Sequence, residues 1–128
     1  MQKSGLIVNV SYWVAQKYMG NAIYGVSKAA TDKLSSDMAE ELRKHNIAVV
    51  SLYPDLVRTE RVMLAREFFD LSNSESPQFV GRAVAALASD PNLMQKTGKV
   101  LVTAKLAREY GFSDIDGKLP TPLNLETS

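Results

Sequence analysis

No cysteine occurs in the 128 residues, so a disulfide framework and a thiolate metal site are both excluded. The absence is compatible with a reducing compartment, and cytoplasm is the plain expectation; the sequence names no compartment more closely. There is one histidine, His45. It follows Arg43 and Lys44 at the end of a helical pattern, reads as solvated, and receives no role. No run of 18 apolar residues appears, so no membrane-spanning helix is expected. The stretch Met1-Gln2-Lys3-Ser4-Gly5 is too short and polar for the apolar core of a signal peptide. Neither charge dominates: 15 basic and 14 acidic residues leave a net charge of +1. That excludes the strongly basic surface of a nucleic-acid binder and an acidic disordered tail. The seven glycines are scattered and form no Gly-rich turn of the kind that cradles phosphates at a helix start. No internal repeat is visible. With 45% hydrophobic and 23% charged residues, the composition suits one ordinary globular domain.

What is present centres on Tyr24-Gly25-Val26-Ser27-Lys28. On a helix, residues four apart stand one above the other on the same face. A phenol titrates near ~10, and a neighbouring ammonium favours the phenolate. Bringing a phenol toward neutral pH takes roughly 4 kcal/mol of differential stabilisation, so a second positive centre or a dry pocket must assist the lysine. The product is a proton donor and acceptor suited to carbonyl chemistry. Alone, Tyr-x-x-x-Lys is a weak motif, since most such pairs are a half-buried tyrosine beside a solvated lysine.

The flanks sharpen it. Upstream, Leu6 to Val10 is an apolar strand closed by Ser11, thirteen residues before Tyr24. Downstream, Ile47 to Leu52 is a second apolar strand, followed by Tyr53-Pro54-Asp55-Leu56-Val57-Arg58-Thr59. Strands apolar along their whole length suit a parallel sheet covered on both faces. Ligands bind at the C-terminal edge of such sheets.

Strand, Ser11, Tyr24-x-x-x-Lys28, strand and Pro54-x-x-Val57-x-Thr59 together resemble the C-terminal half of a short-chain dehydrogenase/reductase. Thr97 to Leu101, Leu106 to Gly111 and Asp114 to Gly117 resemble the dehydrogenase/reductase member 1 branch of that family. The resemblance implies an α/β fold: a partial Rossmann fold of three parallel strands with flanking helices, without the N-terminal dinucleotide-binding half. It implies hydride transfer between NAD or NADP and a small carbonyl or alcohol. Ser11, Tyr24 and Lys28 would be catalytic. Tyr24, Lys28, Pro54, Leu56, Val57 and Thr59 would meet the cofactor. The family usually carries Gly after the proline, where this chain has Asp55. An acidic group there is awkward for the cofactor unless it turns to solvent.

The remaining elements follow from pattern. Asn21 is a plausible N-cap for a helix over 22–45, in which Val26, Ala30, Leu34, Met38 and Leu42 form an apolar stripe. Val26 and Ala30 lie roughly 200–240° around the helix from Tyr24, and Lys28 only about 40°. The stripe is therefore expected to pack on the sheet and to leave the Tyr/Lys pair at the edge. Gly25, Ala29 and Ala30 allow another backbone to approach, and by resemblance this helix also contributes to a homo-oligomeric interface. Trp13, Tyr18 and Met19 either line a substrate pocket or cover the sheet end. Thr59 caps the next helix, meets the cofactor, or does both. Glu60 to Leu71 reads as a short amphipathic helix whose Met63, Phe68 and Phe69 wall a pocket. Ser72 to Ser76 reads as a mobile polar linker. Ser76-Pro77 opens a helix to Ala88, and a third strand runs from Lys99 to about Val102. Lys105 and Arg108 read as solvated, and residues 111–128 as an extended tail.

Under this reading, residues 1–128 are the C-terminal half of a single Rossmann-type oxidoreductase domain, a fragment or short isoform inactive alone. The alternative is a noncatalytic module that associates with a partner or a full-length subunit through its Tyr-Lys helix. Leu6 to Val10 lacks the charges, bulges and brevity that protect natural edge strands. As an edge it should present unpaired backbone groups and promote association.

Overall fold

The computed structural model describes residues 4–122. Its β-branched and apolar runs form three strands: β1 (Gly5–Val10), β2 (Ile47–Tyr53) and β3 (Val100–Val102). Both pairings are parallel, in the order β1-β2-β3, as chain pattern and resemblance implied. β1 and β2 register Gly5 with Ile47 and Val10 with Leu52, so both strands end at the same level.

Alternate residues point to opposite faces. On one face, Val50 and Leu52 of β2 pack with Leu6 and Val8 of β1. Ala83 and Leu87 of α3 (Pro77–Ala88) and Leu106 of α4 (Thr103–Tyr110) cover them. On the other face Asn9 donates to Ser35 Oγ at 3.0 Å, and the Tyr53 hydroxyl donates to Asp32. Both acceptors lie on α1 (Ala22–Leu42). Thus α1 and α3 flank the sheet on opposite sides.

The way α1 packs differs from the sequence expectation. Part of the apolar stripe faces outward, Val26 being 68% and Leu34 55% exposed, as is Ile23 at 84%, while Met38 and Leu42 are half-buried. Ser35 and Ala39 are the buried positions. The α1-facing side of the sheet carries Asn9, Ser51 and Tyr53 beside the apolar Ile7 and Val49. Polar side chains there require hydrogen-bonding or small partners, which the apolar stripe cannot supply. Gly25 does admit a backbone, as a Cβ there would stand 3.2 Å from the Val14 carbonyl oxygen.

A 3-10 turn, Arg43–His45, extends α1 and stops at Asn46 in the left-handed region, φ 58°, where asparagine is tolerated. Trp13 belongs to a 3-10 turn, Trp13–Ala15, and packs edge-on against Tyr53 with centroids 5.1 Å apart. It is therefore packing of the sheet end. Helix α2 is short, Glu60–Leu64, and a 3-10 turn covers Arg66–Phe68.

Two further expectations are corrected. Ser74, Glu75 and Ser76, expected to be mobile, are buried. Residues 111–122, expected to trail away, dock on the domain. Phe112 meets Phe79 at 5.4 Å, Asp114 is buried, and the Arg108 guanidinium holds the Pro120 carbonyl at 2.6 Å. Arg108 is thus engaged. The rest of the expected tail, 123–128, lies outside the described residues. No helix among the described residues is long and apolar enough to cross a membrane.

Gly5 and Ser11 donate their N–H groups to Asn46 and Leu52 of the β2 side, so the backbone groups of Leu6, Val8 and Val10 point away from β2. Among the described residues no strand pairs with that outer edge. The 128-residue chain should therefore self-associate, with a sedimentation coefficient that rises with concentration. Val10→Lys, which places a charge on the edge, should weaken association about tenfold, or ~1.4 kcal/mol. Concentration-independent sedimentation as a monomer would contradict this.

Candidate functional site

An open cleft of about 590 Å³ lies at the C-terminal ends of β1 and β2. Its lining includes Ser11, Tyr24, Lys28, Pro54, Leu56, Val57 and Thr59: every residue singled out from the sequence as catalytic or cofactor-binding. Three local features bring them together. β1 ends at Val10, which delivers Ser11 to the rim in a buried position. The Asn21 side chain accepts the Tyr24 N–H at 3.0 Å, fixing the first turn of α1 over the strand end. Pro54, with no N–H to offer a ladder, ends β2 and turns the chain along the cleft.

Contacts within the group are specific. Ser11 Oγ donates to the Lys28 carbonyl at 3.3 Å. Lys28 Nζ reaches back to the Val10 carbonyl at 3.3 Å and stands 5.8 Å from the centre of the Tyr24 ring. That is within the range where an ammonium is attracted to a π face. The Tyr24 side is open, 46% exposed, and no hydrogen bond engages its hydroxyl among the described residues. A direct Ser11–Tyr24 hydrogen bond is absent, because the serine is turned onto the α1 backbone. Behind Ser11, the Tyr53 phenol is pushed up to about 12 by burial and by the Asp32 carboxylate. The Gln16 and Ser11 side chains offset part of this.

The second wall is the loop after β2. Thr59 does cap α2, accepting the Val62 N–H at 3.3 Å, and it also lines the cleft. Asp55 sits on the wall with its carboxylate occupied. It accepts the Leu56 N–H at 2.8 Å and the Asn73 side-chain N–H at 3.4 Å. Phe69 and Val62 form part of the apolar lining. Met63 does not line it, and Phe68, 79% exposed, points elsewhere. Sequence reasoning missed Tyr12, Val10 and Val62. Tyr12 follows Ser11 directly, so its place at the rim was readable from the strand end. Its phenol is raised by burial, then by Asp55, Tyr24 and Glu75.

Arg58 fastens this wall to the rest of the domain. Its guanidinium donates to the Ser74 carbonyl at 2.8 Å, to Ser74 Oγ at 2.7 Å and to Asp114 at 3.3 Å. Asp114 also accepts from the Ser76 N–H at 2.8 Å, the Ser76 hydroxyl and the Ile115 N–H. Burial pushes the Asp114 carboxyl up, but the Ser76 and Ile115 donors and Arg58 outweigh it and hold the group below its usual value of 3.8. A depressed carboxyl stabilises the fold above its ordinary pKa and loses that contribution as pH falls through the folded value. Asp114→Asn should therefore cost about 1.5–3 kcal/mol at neutral pH, the worth of hydrogen bonds to a charged group. It should also flatten the acid limb of urea-unfolding stability. An unchanged acid limb would mean that Asp114 is not the group responsible.

The model of the short chain dehydrogenase family matches residues 1–68. "Dehydrogenase/reductase SDR family member 1" of Mus musculus is 47% identical over 127 residues, covering 89% of this chain and 41% of that protein. Its Homo sapiens namesake is 42% identical with the same coverage. The chain thus spans about two-fifths of the length of these relatives. Among solved structures, 4-hydroxyisoleucine dehydrogenase complexed with NADH aligns with a TM-score of 0.61 and 31% identity, over 76% of this chain and 43% of that one. The angucycline C-6 ketoreductase LanV with bound NADP aligns with a TM-score of 0.66 over 80% of this chain and 43% of that one. At 22% identity it supports the fold alone.

Proposed function

The chain belongs to the short-chain dehydrogenase/reductase family, and on that premise we propose that its cleft is the nicotinamide-facing part of an NAD- or NADP-dependent oxidoreductase acting on a small carbonyl or alcohol. The observation that carries the reading is the meeting of Ser11, Tyr24 and Lys28 with Pro54, Leu56, Val57 and Thr59 around one cleft. A noncatalytic module would leave that meeting without a use.

The residues fit the nicotinamide end of such a cofactor. Leu56, Val57 and Val62 offer an apolar surface for a ring, and Thr59 a hydroxyl for a polar substituent. Lys28 has three N–H donors, of which one serves Val10, leaving two for a ribose. The bound cofactor supplies or receives the hydride. Tyr24 gives its hydroxyl proton to the carbonyl oxygen as that carbon is reduced, or takes a proton from the alcohol in the reverse direction. The Lys28 ammonium stabilises the phenolate left behind. Ser11 turns its hydroxyl from the Lys28 carbonyl to the substrate oxygen and stabilises the charge developing there. The substrate stands against Tyr12, Leu56 and Phe69, a mostly apolar surface.

The sequence carries no Gly-rich turn for a pyrophosphate. On this reading the 128 residues alone bind NADH and NADPH no better than non-specifically and are inactive. The outward stripe Ile23, Val26 and Leu34 is the surface through which α1 meets a further subunit.

The test is a chimera in which this chain replaces the matching 41% of the mouse relative, assayed for NADH and NADPH oxidation with a panel of carbonyl compounds. Turnover is expected. Tyr24→Phe should lower kcat roughly 100- to 10,000-fold, the usual worth of a general acid or base, and Lys28→Met should lower kcat and raise the cofactor KM together. A Tyr24→Phe chimera that turns over at the parent rate would overturn the assignment.

A further inference from the structure

Glu75 is fully buried, and neither of its carboxylate oxygens makes a hydrogen bond of ordinary geometry, although the Asp55 backbone N–H lies close enough to favour the anion in part. Its backbone is fully engaged. The Glu75 N–H donates to the Leu56 carbonyl at 2.8 Å, and the Glu75 carbonyl accepts the Arg58 N–H at 2.8 Å. These bonds make an isolated parallel bridge between Val57 and Glu75. The strip that Glu75 grips, Leu56 to Arg58, is the one that presents Leu56 and Val57 to the cleft. It is irregular chain outside the sheet, with this bridge as its backbone anchor.

A buried carboxyl with so little hydrogen bonding is tolerable as a neutral acid and costly as an anion. The titratable and charged groups around Glu75 come from three segments. Asp55 and Arg58 belong to the loop after β2, Asp114 to the C-terminal segment, and the Tyr12 phenol to the loop after β1. Asp55 and Asp114 are like charges. Arg58 is the one cation among these neighbours, and its guanidinium is already committed to Ser74, Asp114 and Asp116. An ionised Glu75 must therefore draw Arg58 away from Asp114, admit water, or move.

We infer that Glu75 is a positioning residue for the cleft: as a neutral acid it holds the Leu56–Arg58 strip in place, and its ionisation loosens that strip. Neither Tyr24 nor Lys28 enters this inference, so it stands or falls apart from the catalytic reading. Burial is the largest cause of a Glu75 pKa raised from 4.5 to about 7, with Asp55 and Asp114 adding to it and the Asp55 amide and Arg58 offsetting part. The sign follows from linkage. A carboxyl that holds its proton more tightly in the closed state than in the open one gives full stability below 4.5. It loses that stability as pH rises toward 7, and nothing more changes beyond that.

The experiment is hydrogen–deuterium exchange by mass spectrometry on the intact 128-residue chain and on Glu75→Gln and Glu75→Met, from about pH 5 to about pH 8, with intrinsic rates divided out. It reads the Arg58 and Glu75 amides in whatever association state the chain adopts. In the parent chain, protection should fall up to about tenfold per pH unit below 7 and then level off. In both variants it should stay flat. If one variant does not fold, the other supplies the comparison. A flat parent profile, or the same fall in a variant that cannot ionise at position 75, would overturn the inference. Tyr24→Phe should leave the parent profile unchanged; a Tyr24→Phe chain that lost the fall would overturn the separation from the catalytic group.

Discussion

The parallel register of β1 on β2 is the constraint on which the rest depends. With Val10 opposite Leu52 and Ser11 donating to the Leu52 carbonyl at 2.8 Å, the chain leaves both strands at one edge of the sheet. Ser11 and Pro54 therefore open onto the same space, and α1, which starts above that edge, adds Tyr24 and Lys28. A slip of one residue would exchange the two faces of β1. Leu6 and Val8 would then lose their apolar partners on α3, and Asn9 would lose Ser35. Burial on one face and hydrogen bonding on the other both enforce the register that makes the cleft.

The two faces of the sheet use different physics. Beneath α3 and α4 the contact is apolar, from Val50, Leu52, Ala83, Leu87 and Leu106. Beneath α1 it is mixed: Asn9 bonds Ser35 and Tyr53 bonds Asp32, beside the buried Val49 and Ala39. Polar contacts specify position because unmet groups are expensive. This suits the face whose helix must hold a phenol and an ammonium in place. The far wall is fastened by Arg58 and Asp114, which tie the loop after β2 to the start of α3 and to the C-terminal segment. The docked segment and the cleft wall are one connected structure.

Most of the framework was legible from pattern. Apolar runs marked the strands, Asn21 and Ser76 announced helix starts, and the spacing of Ser11, Tyr24 and Lys28 marked the cleft. The packing of α1 was not legible, because a helix stripe records only that apolar residues share a face. What that face meets is decided by the strand residues, here Asn9, Ser51 and Tyr53. The burial of Ser74 to Ser76 was hidden for a similar reason. Serine and glutamate read as solvated linker until their partners, Val57 in a distant loop and Asp114 beyond α4, are brought near by the fold. Thr59 shows the opposite case, in which one hydroxyl caps a helix and lines the cleft, two readings that do not compete.

The central claim is that the Tyr24–Lys28 cleft receives the nicotinamide end of the cofactor. It is tested most directly by a crystal structure of the chimeric enzyme, residues 1–128 in place of the matching part of the mouse relative, with NADH or NADPH bound. The account predicts the nicotinamide ring against Leu56 and Val57 with its reactive face toward the Tyr24 hydroxyl, and the adjoining ribose on Lys28 Nζ. A cofactor bound with its nicotinamide elsewhere, and Tyr24 facing only solvent, would contradict it.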